Sequence, residues 1–457
     1  MLSALRSAPA VEGCPWGALR RREFARLDTQ GLTYLDHAAS ALYGASQVEA
    51  QAARLREGVF GNPHSTHAAS RAGEALLDAA RTATLRFLDA DPAEYDVVLT
   101  ANASAAIKLV GEAWPFSAGR GLTLSADDHN SVTGLREFAR AAGAPVTVMP
   151  LTPQLEPDDP LGRVEAAARE HGPGLLAFPF RSNFSGVEHP LELVGHARAL
   201  GFEVLLDAAG LGAAGGLSLR AHPADFVALS FYKLFGLPTG LGALVARREA
   251  LARLRRPWFA GGTVAYVSVE HERRRLLPGH AGFEDGTPDF LSAGPAVDGF
   301  AFLDAIDRPA LRTRLRRMTS DLRSRLAGLR RADGGPAVRL YGPEAGGGPV
   351  IAFNLLAADG RTRPYAPVEA RAAELGLALR GGCFCNPGTA EAAFGLAGVD
   401  MPGAFDRLGD RFTLDRLQAE LPGATIGALR LSLGLPTVEA DLDRAAEVIA
   451  RIAGEAE

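Results

Sequence analysis

Two residues at the ends of apolar runs carry the most chemical information in this sequence. Asp207 closes the run Leu205-Leu206-Asp207 ahead of Ala208-Ala209, and Lys233 follows Phe231-Tyr232 just after a second run that ends at Ser230. A strand-end aspartate followed roughly two dozen residues later by a strand-end lysine is the pairing a pyridoxal phosphate site needs: an amine to condense with the aldehyde, and a carboxylate to keep the ring nitrogen protonated as an electron sink. Taken singly, a strand-end aspartate serves as readily as a helix cap or a structural ion-pair partner. The choice of amine is narrow, because Lys108 and Lys233 are the only lysines among 48 Lys and Arg residues. Lys108 falls inside the helical stretch Ser104 to Trp114 and is expected to reach solvent. Lys233 is flanked by Phe231, Leu234 and Phe235 and by the glycine-rich Gly236 to Gly242.

A phosphate asks for backbone N–H groups and hydroxyls at a helix N-terminus. Thr100-Ala101-Asn102-Ala103-Ser104 offers that setting through Ala103 and Ser104, although Ser104 also suits a plain capping role; Ser230 is a second candidate donor. His129, in Asp128-His129-Asn130-Ser131, stands where a strand gives way to a helix. It is either a surface cap or an imidazole over the cofactor ring that moves protons. Cys383 and Cys385, in C-x-C spacing, provide a nucleophile. They could also form half of a metal site, but a closed site needs about four ligands and no histidine is clustered nearby.

The elements that must position these groups are βα units. From Glu94 to Arg247, short β-branched or leucine-rich runs alternate with Ala, Leu and Arg stretches of helical period. Tyr95 to Thr100, Gly121 to Ser125, Pro145 to Leu151, Gly174 to Phe180 and Phe202 to Asp207 read as strands, with helices between them at Ser104 to Trp114, Ser131 to Ala142, Gly162 to Glu170 and Leu191 to Leu200. Such alternation predicts a mostly parallel sheet with helices on both faces and ligands at the carboxyl ends of the strands. After Gly299 come an arginine-rich helix, Pro309 to Arg331, and a glycine-rich break at Gly346 to Gly348. A second domain follows, with a strand at Val350 to Leu355, a helix at Val368 to Leu375, the cysteine segment, and a closing pair at Ala428 to Leu433 and Glu439 to Ile452. Glu391 to Gly427 has no clear period and reads as a partly ordered excursion.

Length and composition bound the class. A chain of 457 residues, 47% hydrophobic, can bury two or three domain cores. Net charge is −5 with no basic face, which speaks against a nucleic-acid partner. No apolar run approaches the roughly 20 residues of a membrane helix, and Met1 to Trp16, with Arg6 as its only positive charge, does not read as a secretory signal. Three cysteines, Cys14, Cys383 and Cys385, are too few for a disulfide framework, so a reducing cytoplasm is expected.

Six segments, in order along most of the chain, resemble the cysteine desulfurase branch of the class V aminotransferases, and most closely the amino-terminal domain of molybdenum cofactor sulfurases. They are Tyr34 to Ala39, Gly61 to Ser65, Ser182 to Gly186, Ser230 to Gly240, Phe283 to Thr287 and Arg380 to Gly388. The resemblance implies a type I pyridoxal-phosphate-dependent α/β fold, with a large domain (residues 30–298) around a mostly parallel seven-stranded sheet and a smaller α+β domain (1–29 and 299–457) carrying the cysteine loop. It makes Lys233 the cofactor lysine, Asp207 the partner of the ring nitrogen, His129 the stacking histidine and Asn183 the neighbour of cofactor hydroxyl and substrate. Arg430 becomes the clamp for the substrate carboxylate, a job suited to a planar guanidinium. Cys385, five residues after Arg380, becomes the nucleophile and Cys383 an accessory. Thr263, in Gly261-Gly262-Thr263, matches a loop that such homodimers lend to the neighbouring subunit's phosphate. Two positions depart from the pattern: Gly210 where many desulfurases have glutamine, and Tyr232 where they have histidine, the latter familiar in the sulfurase branch. The resemblance includes no counterpart of the molybdenum-cofactor-binding carboxy-terminal domain of those sulfurases, which leaves the sulfur acceptor open.

The expected reaction is therefore transfer of sulfur from L-cysteine to Cys385 with release of alanine. Its rivals are another reaction on the same scaffold, such as a carbon–sulfur lyase, a transaminase or an epimerase, in which Cys385 is dispensable, and a non-catalytic partner in sulfur transfer.

Overall fold

Seven strands form the central sheet, and their side chains alternate between two separate apolar layers. The computed structural model describes residues 16–421 and 423–455; Cys14 lies outside them. Across the sheet the order is Tyr95–Thr100, Gly242–Arg247, Phe226–Ser230, Glu203–Asp207, Leu175–Pro179, Leu122–Ser125 and Val146–Met149. Leu176, Phe178, Val204, Leu206, Val227 and Leu229 enter one layer, while Leu175, Ala177, Leu205, Phe226 and Ala228 enter the other. Strands buried on both faces in this way read as continuous apolar runs in sequence.

All neighbours pair parallel except Gly242–Arg247, which runs antiparallel to both of its neighbours. The cause is local. The connection from Ser230 to Gly242 carries only the four-residue helix Tyr232–Phe235, too short to act as a crossover, so the chain returns directly. The elements anticipated between Tyr95 and Asp207 form within a few residues of the expected bounds, with one difference. The expected helix Ser131 to Ala142 is two pieces, Asn130–Thr133 and Leu135–Ala141, divided at Gly134.

A second, four-stranded antiparallel sheet has the order Val338–Tyr341, Val350–Leu355, Ala428–Ser432 and Arg380–Gly382. The early chain joins it: Thr33–Tyr34 pairs with Leu377–Ala378, and Asp36 bridges to Ser432. The segment expected to be a partly ordered excursion instead forms helices at Met401–Leu408 and Leu414–Glu420, capped by Asp400 and Thr413. These bury a small core of Ala404, Leu408, Leu417 and Leu421. Each helix is about two turns long, too short to display a period. Among the described residues no helix is long and apolar enough to cross a membrane.

Candidate active site

The carboxyl ends of the central strands converge on a cavity of about 240 Å³. Asp207 is the last residue of its strand and Ser230 the last of the next, while Asn183 and His129 follow Leu175–Pro179 and Leu122–Ser125. Ala103, Ser104, His129, Asn183, Asp207, Ser230, Tyr232 and Lys233 all border the cavity. The expected groups thus come from five strand ends on one rim, as parallel topology requires.

Lys233 sits in the turn-length helix Tyr232–Phe235, which Gly236 ends at φ 82°. A Cβ at residue 236 would lie 2.3 Å from the Tyr43 backbone nitrogen, so only glycine fits there. Burial, with lesser help from Arg430 and Arg380, pulls the Lys233 amine below its ordinary value against the opposing pull of Asp207 and Cys385. Lys108, the other lysine, is exposed and pairs with Glu112 at 3.0 Å. The Asp207 carboxylate is buried, and its Oδ1 accepts the Ala209 N–H at 2.9 Å. Behind it, burial reinforced by Asp207 pushes the Asp128 carboxyl well above the usual carboxylate range.

At the start of helix Ala103–Ala113, the Asn102 side chain caps Ala105 and the Ala103 N–H donates to Ser230 Oγ at 2.9 Å. Ser104 Oγ meets Ser131 Oγ at 2.6 Å. His129 is placed both at a helix start and at the cavity. It caps the next helix, its Nδ1 accepting the Ser131 N–H at 3.1 Å, and its ring borders the cavity. That bond leaves the proton of the neutral ring on Nε2, and burial lowers its basicity.

Arg430 is buried but does not border the cavity. Its Nη1 donates to the Asn183 carbonyl at 2.8 Å, its Nη2 to Asp36 Oδ1 at 3.1 Å, its Nε has no partner, and its guanidinium lies 4.7 Å from the Phe384 ring. Asp36 also accepts from Arg380 at 2.7 Å, so one carboxylate joins two guanidiniums. The Asn183 amide, expected beside the cofactor hydroxyl, is turned to the cysteine loop: Nδ2 donates to the Phe384 carbonyl at 2.6 Å and Oδ1 accepts from Asn386 at 3.0 Å. Cys385 is exposed and free and, like Arg430, does not itself border the cavity. Thr263 stands apart. It is buried, does not border the cavity, and exchanges hydrogen bonds with Ala260 in its own loop.

Sequence reading missed three groups here. Arg181 borders the cavity, pairs with Glu188 at 2.6 Å and donates to the Gly210 carbonyl at 3.0 Å. His37 also borders it with Nε2 unpartnered, its basicity pushed down to about 3 by burial. Asp127 is completely enclosed among polar partners. The motif Tyr34 to Ala39 flagged only the neighbourhood of His37; nothing marked the other two.

The Aminotransferase class-V family matches residues 33–444. The chain belongs to this family. Among curated class-V relatives, molybdenum cofactor sulfurase of Arabidopsis thaliana is 36% identical over 412 residues, which cover 81% of this chain and 50% of the relative. The chain spans about half the length of the curated relatives it matches. A cysteine desulfurase from Thermococcus onnurineus NA1 superimposes with a TM-score of 0.78 at 22% identity, over 95% of this chain and 97% of that one. The cystine C–S lyase C-DES, solved with cysteine persulfide, gives 0.71 at 16% identity over 94% and 99%. The fold is therefore the type I α/β fold shared across class-V enzymes. The cavity's donor set fits the cofactor expected from sequence: one buried amine, a strand-end carboxylate, and N–H and hydroxyl groups gathered at a helix N-terminus.

Proposed function

We propose that the chain binds pyridoxal 5'-phosphate in this cavity and acts as a cysteine desulfurase, moving sulfur from L-cysteine to Cys385 with release of L-alanine. The observation that carries the reading is that the Cys385 loop docks on two segments of the cavity wall: the Asn130 N–H, next to His129, donates to the Cys385 carbonyl at 2.7 Å, and the Asn183 amide donates to the Phe384 carbonyl at 2.6 Å. A lyase or a transaminase has no use for a thiol there.

In this reading Lys233 would hold the aldehyde, Asp207 would pair with the ring nitrogen, and Ala103, Ser104 and Ser230 would hold the phosphate. His129, Asn183 and Tyr232 would complete the wall of the site, and the cofactor when bound would supply an electron sink for charge developing at the substrate Cα. Arg430, which lies just outside the cavity lining with both Nη groups held by Asp36 and the Asn183 carbonyl, would fix the substrate carboxylate only by exchanging one of those bonds for it. Lys233, its charge disfavoured by burial, takes the Cα proton and returns it. Cys385 sulfur attacks substrate sulfur; the S–S bond forms as the Cβ–S bond breaks, and the electron pair of the broken bond goes to Cβ. Cβ takes a proton, for which His129 Nε2 is the candidate donor. One L-cysteine and one enzyme thiol thus give one alanine and one enzyme persulfide with no external oxidant.

A homodimer and a cytoplasmic setting belong to the same reading. Thr263 leads into the hairpin Val264–Ser268 and Arg273–Leu276, where Tyr266 and Val269 are exposed, as a surface awaiting a second copy would be. For the sulfur acceptor, the name of the curated relatives points to molybdenum cofactor.

The test is alanine release from L-cysteine by the cofactor-loaded chain. Cys385→Ala should keep the visible absorbance of the bound cofactor and lose alanine formation by about 10³-fold. Wild-type rates in Cys385→Ala, or pyruvate in place of alanine, would overturn the reading in favour of a lyase.

A further inference from the structure

Asp127 stands two residues before His129, and its side chain is wholly enclosed. Its Oδ1 accepts from Ser182 Oγ at 2.7 Å, Asn386 Nδ2 at 2.8 Å and Thr389 Oγ1 at 2.6 Å; its Oδ2 accepts from His189 Nε2 at 2.9 Å. Ser182 adjoins Asn183, and Asn386 adjoins Cys385. One carboxylate therefore ties together the three segments that carry the cavity histidine, the cavity asparagine and the thiol. The cysteine loop docks on the same segment through its backbone as well: the Asn130 N–H donates to the Cys385 carbonyl at 2.7 Å, and Gly388 passes so close that a Cβ there would lie 2.2 Å from the Ala126 carbonyl oxygen. Phe384 and Cys385 are both left-handed, at φ 58° and 57°, a conformation that persists only when the surroundings impose it.

We propose that Asp127 is a positioning residue that holds the Cys385 loop in register with the cavity. The proposal rests on the desulfurase reading for what the thiol does, but the anchoring itself stands on the geometry. A carboxylate suits the place because its two oxygens can accept from all four of the donors that converge on it. An asparagine of the same shape would present its own N–H₂ to some of those donors, so the contacts would break without a change of volume.

The experiment measures turnover together with backbone hydrogen exchange. In Asp127→Asn, alanine formation should fall about a hundredfold in kcat, as a thiol displaced by an ångström would give, while the KM for L-cysteine stays within about twofold and the cofactor absorbance is kept. The amides of Asn386 and Ala390 should exchange about tenfold faster, because the loop opens more readily once its charge-assisted bonds are weakened. Thr389→Val, which deletes one donor and keeps the shape, should show the same pattern more weakly, and Thr389→Ser should restore wild-type behaviour; this pair decides if Asp127→Asn does not fold. Unchanged exchange at Asn386 and Ala390 in the variants that fold overturns the proposal. So does a Thr389→Val enzyme that loses cofactor colour along with turnover, which would mark the cluster as ordinary core. A wild type that forms no alanine would sink the desulfurase reading and leave the exchange result to judge the anchoring alone.

Discussion

The two halves of the candidate site are held by different forces. On the sheet side, Asp207, Ser230 and Lys233 are carried by Glu203–Asp207 and Phe226–Ser230, strands in which every residue is buried. Their positions follow from close apolar packing on both faces, which is spread over many contacts. On the cysteine side, residues 383–386 form a turn that leads into the helix Pro387–Phe394. Two non-glycine residues sit in left-handed backbone, each costing on the order of 1–3 kcal/mol, and polar bonds to Asp127, Asn130 and Asn183 offset that cost. The sheet side is thus a rigid platform, and the cysteine side is a strained loop fastened at a few points. Chemistry that needs a fixed amine and an adjustable thiol can use both.

Three substitutions separate the halves. Lys233→Ala removes the only buried amine of the platform and should abolish turnover by about 10³-fold or more. The lysine-linked visible absorbance should vanish with it, while the melting temperature changes little because the strands keep their packing. Gly388→Ala attacks the fastening instead. Its added methyl meets the Ala126 carbonyl, the loop must lift, and alanine formation should fall by about 10²-fold with the absorbance intact. Loss of the absorbance in Gly388→Ala would show that the halves are not independent.

The smallest effect lies beneath the platform, at Asp128. Burial, reinforced by Asp207, raises its folded-state carboxyl well above the ordinary carboxylate range, so the folded chain keeps a proton that the unfolded chain releases. Stability should therefore fall as pH rises from the ordinary carboxyl range towards the shifted one. Asp128→Asn removes that titration, and its unfolding midpoint in urea should decline less over the same range. Parallel pH profiles for variant and wild type would refute the assignment.

The legibility of the two halves follows the same division. Strand ends carrying Asp207 and Ser230, and the apolar flanks of Lys233, are local patterns, because a strand buried on both faces must be apolar throughout and its end is where polarity returns. The helices at Met401–Leu408 and Leu414–Glu420 were not legible, since two turns hold too few residues to set a period. Arg181 and Asp127 were invisible for another reason: a charged residue in a loop looks the same in sequence whether it meets solvent or four buried donors.

The sequence by itself pointed to the parallel α/β class, to Lys233 rather than Lys108 as the buried amine, and to the strand-end carboxylate at Asp207, while the choice of Cys385 as candidate nucleophile rested on the family resemblance. Only the tertiary structure decided that Asp36 joins Arg380 to Arg430, that the Asn183 amide faces the cysteine loop, and that Asp127 binds Asn386, 259 residues further along the chain. The reason is physical. Periodicity and residue type report burial along one element, whereas a hydrogen bond between loops depends on where the sheet brings their ends together, and no local pattern encodes that distance.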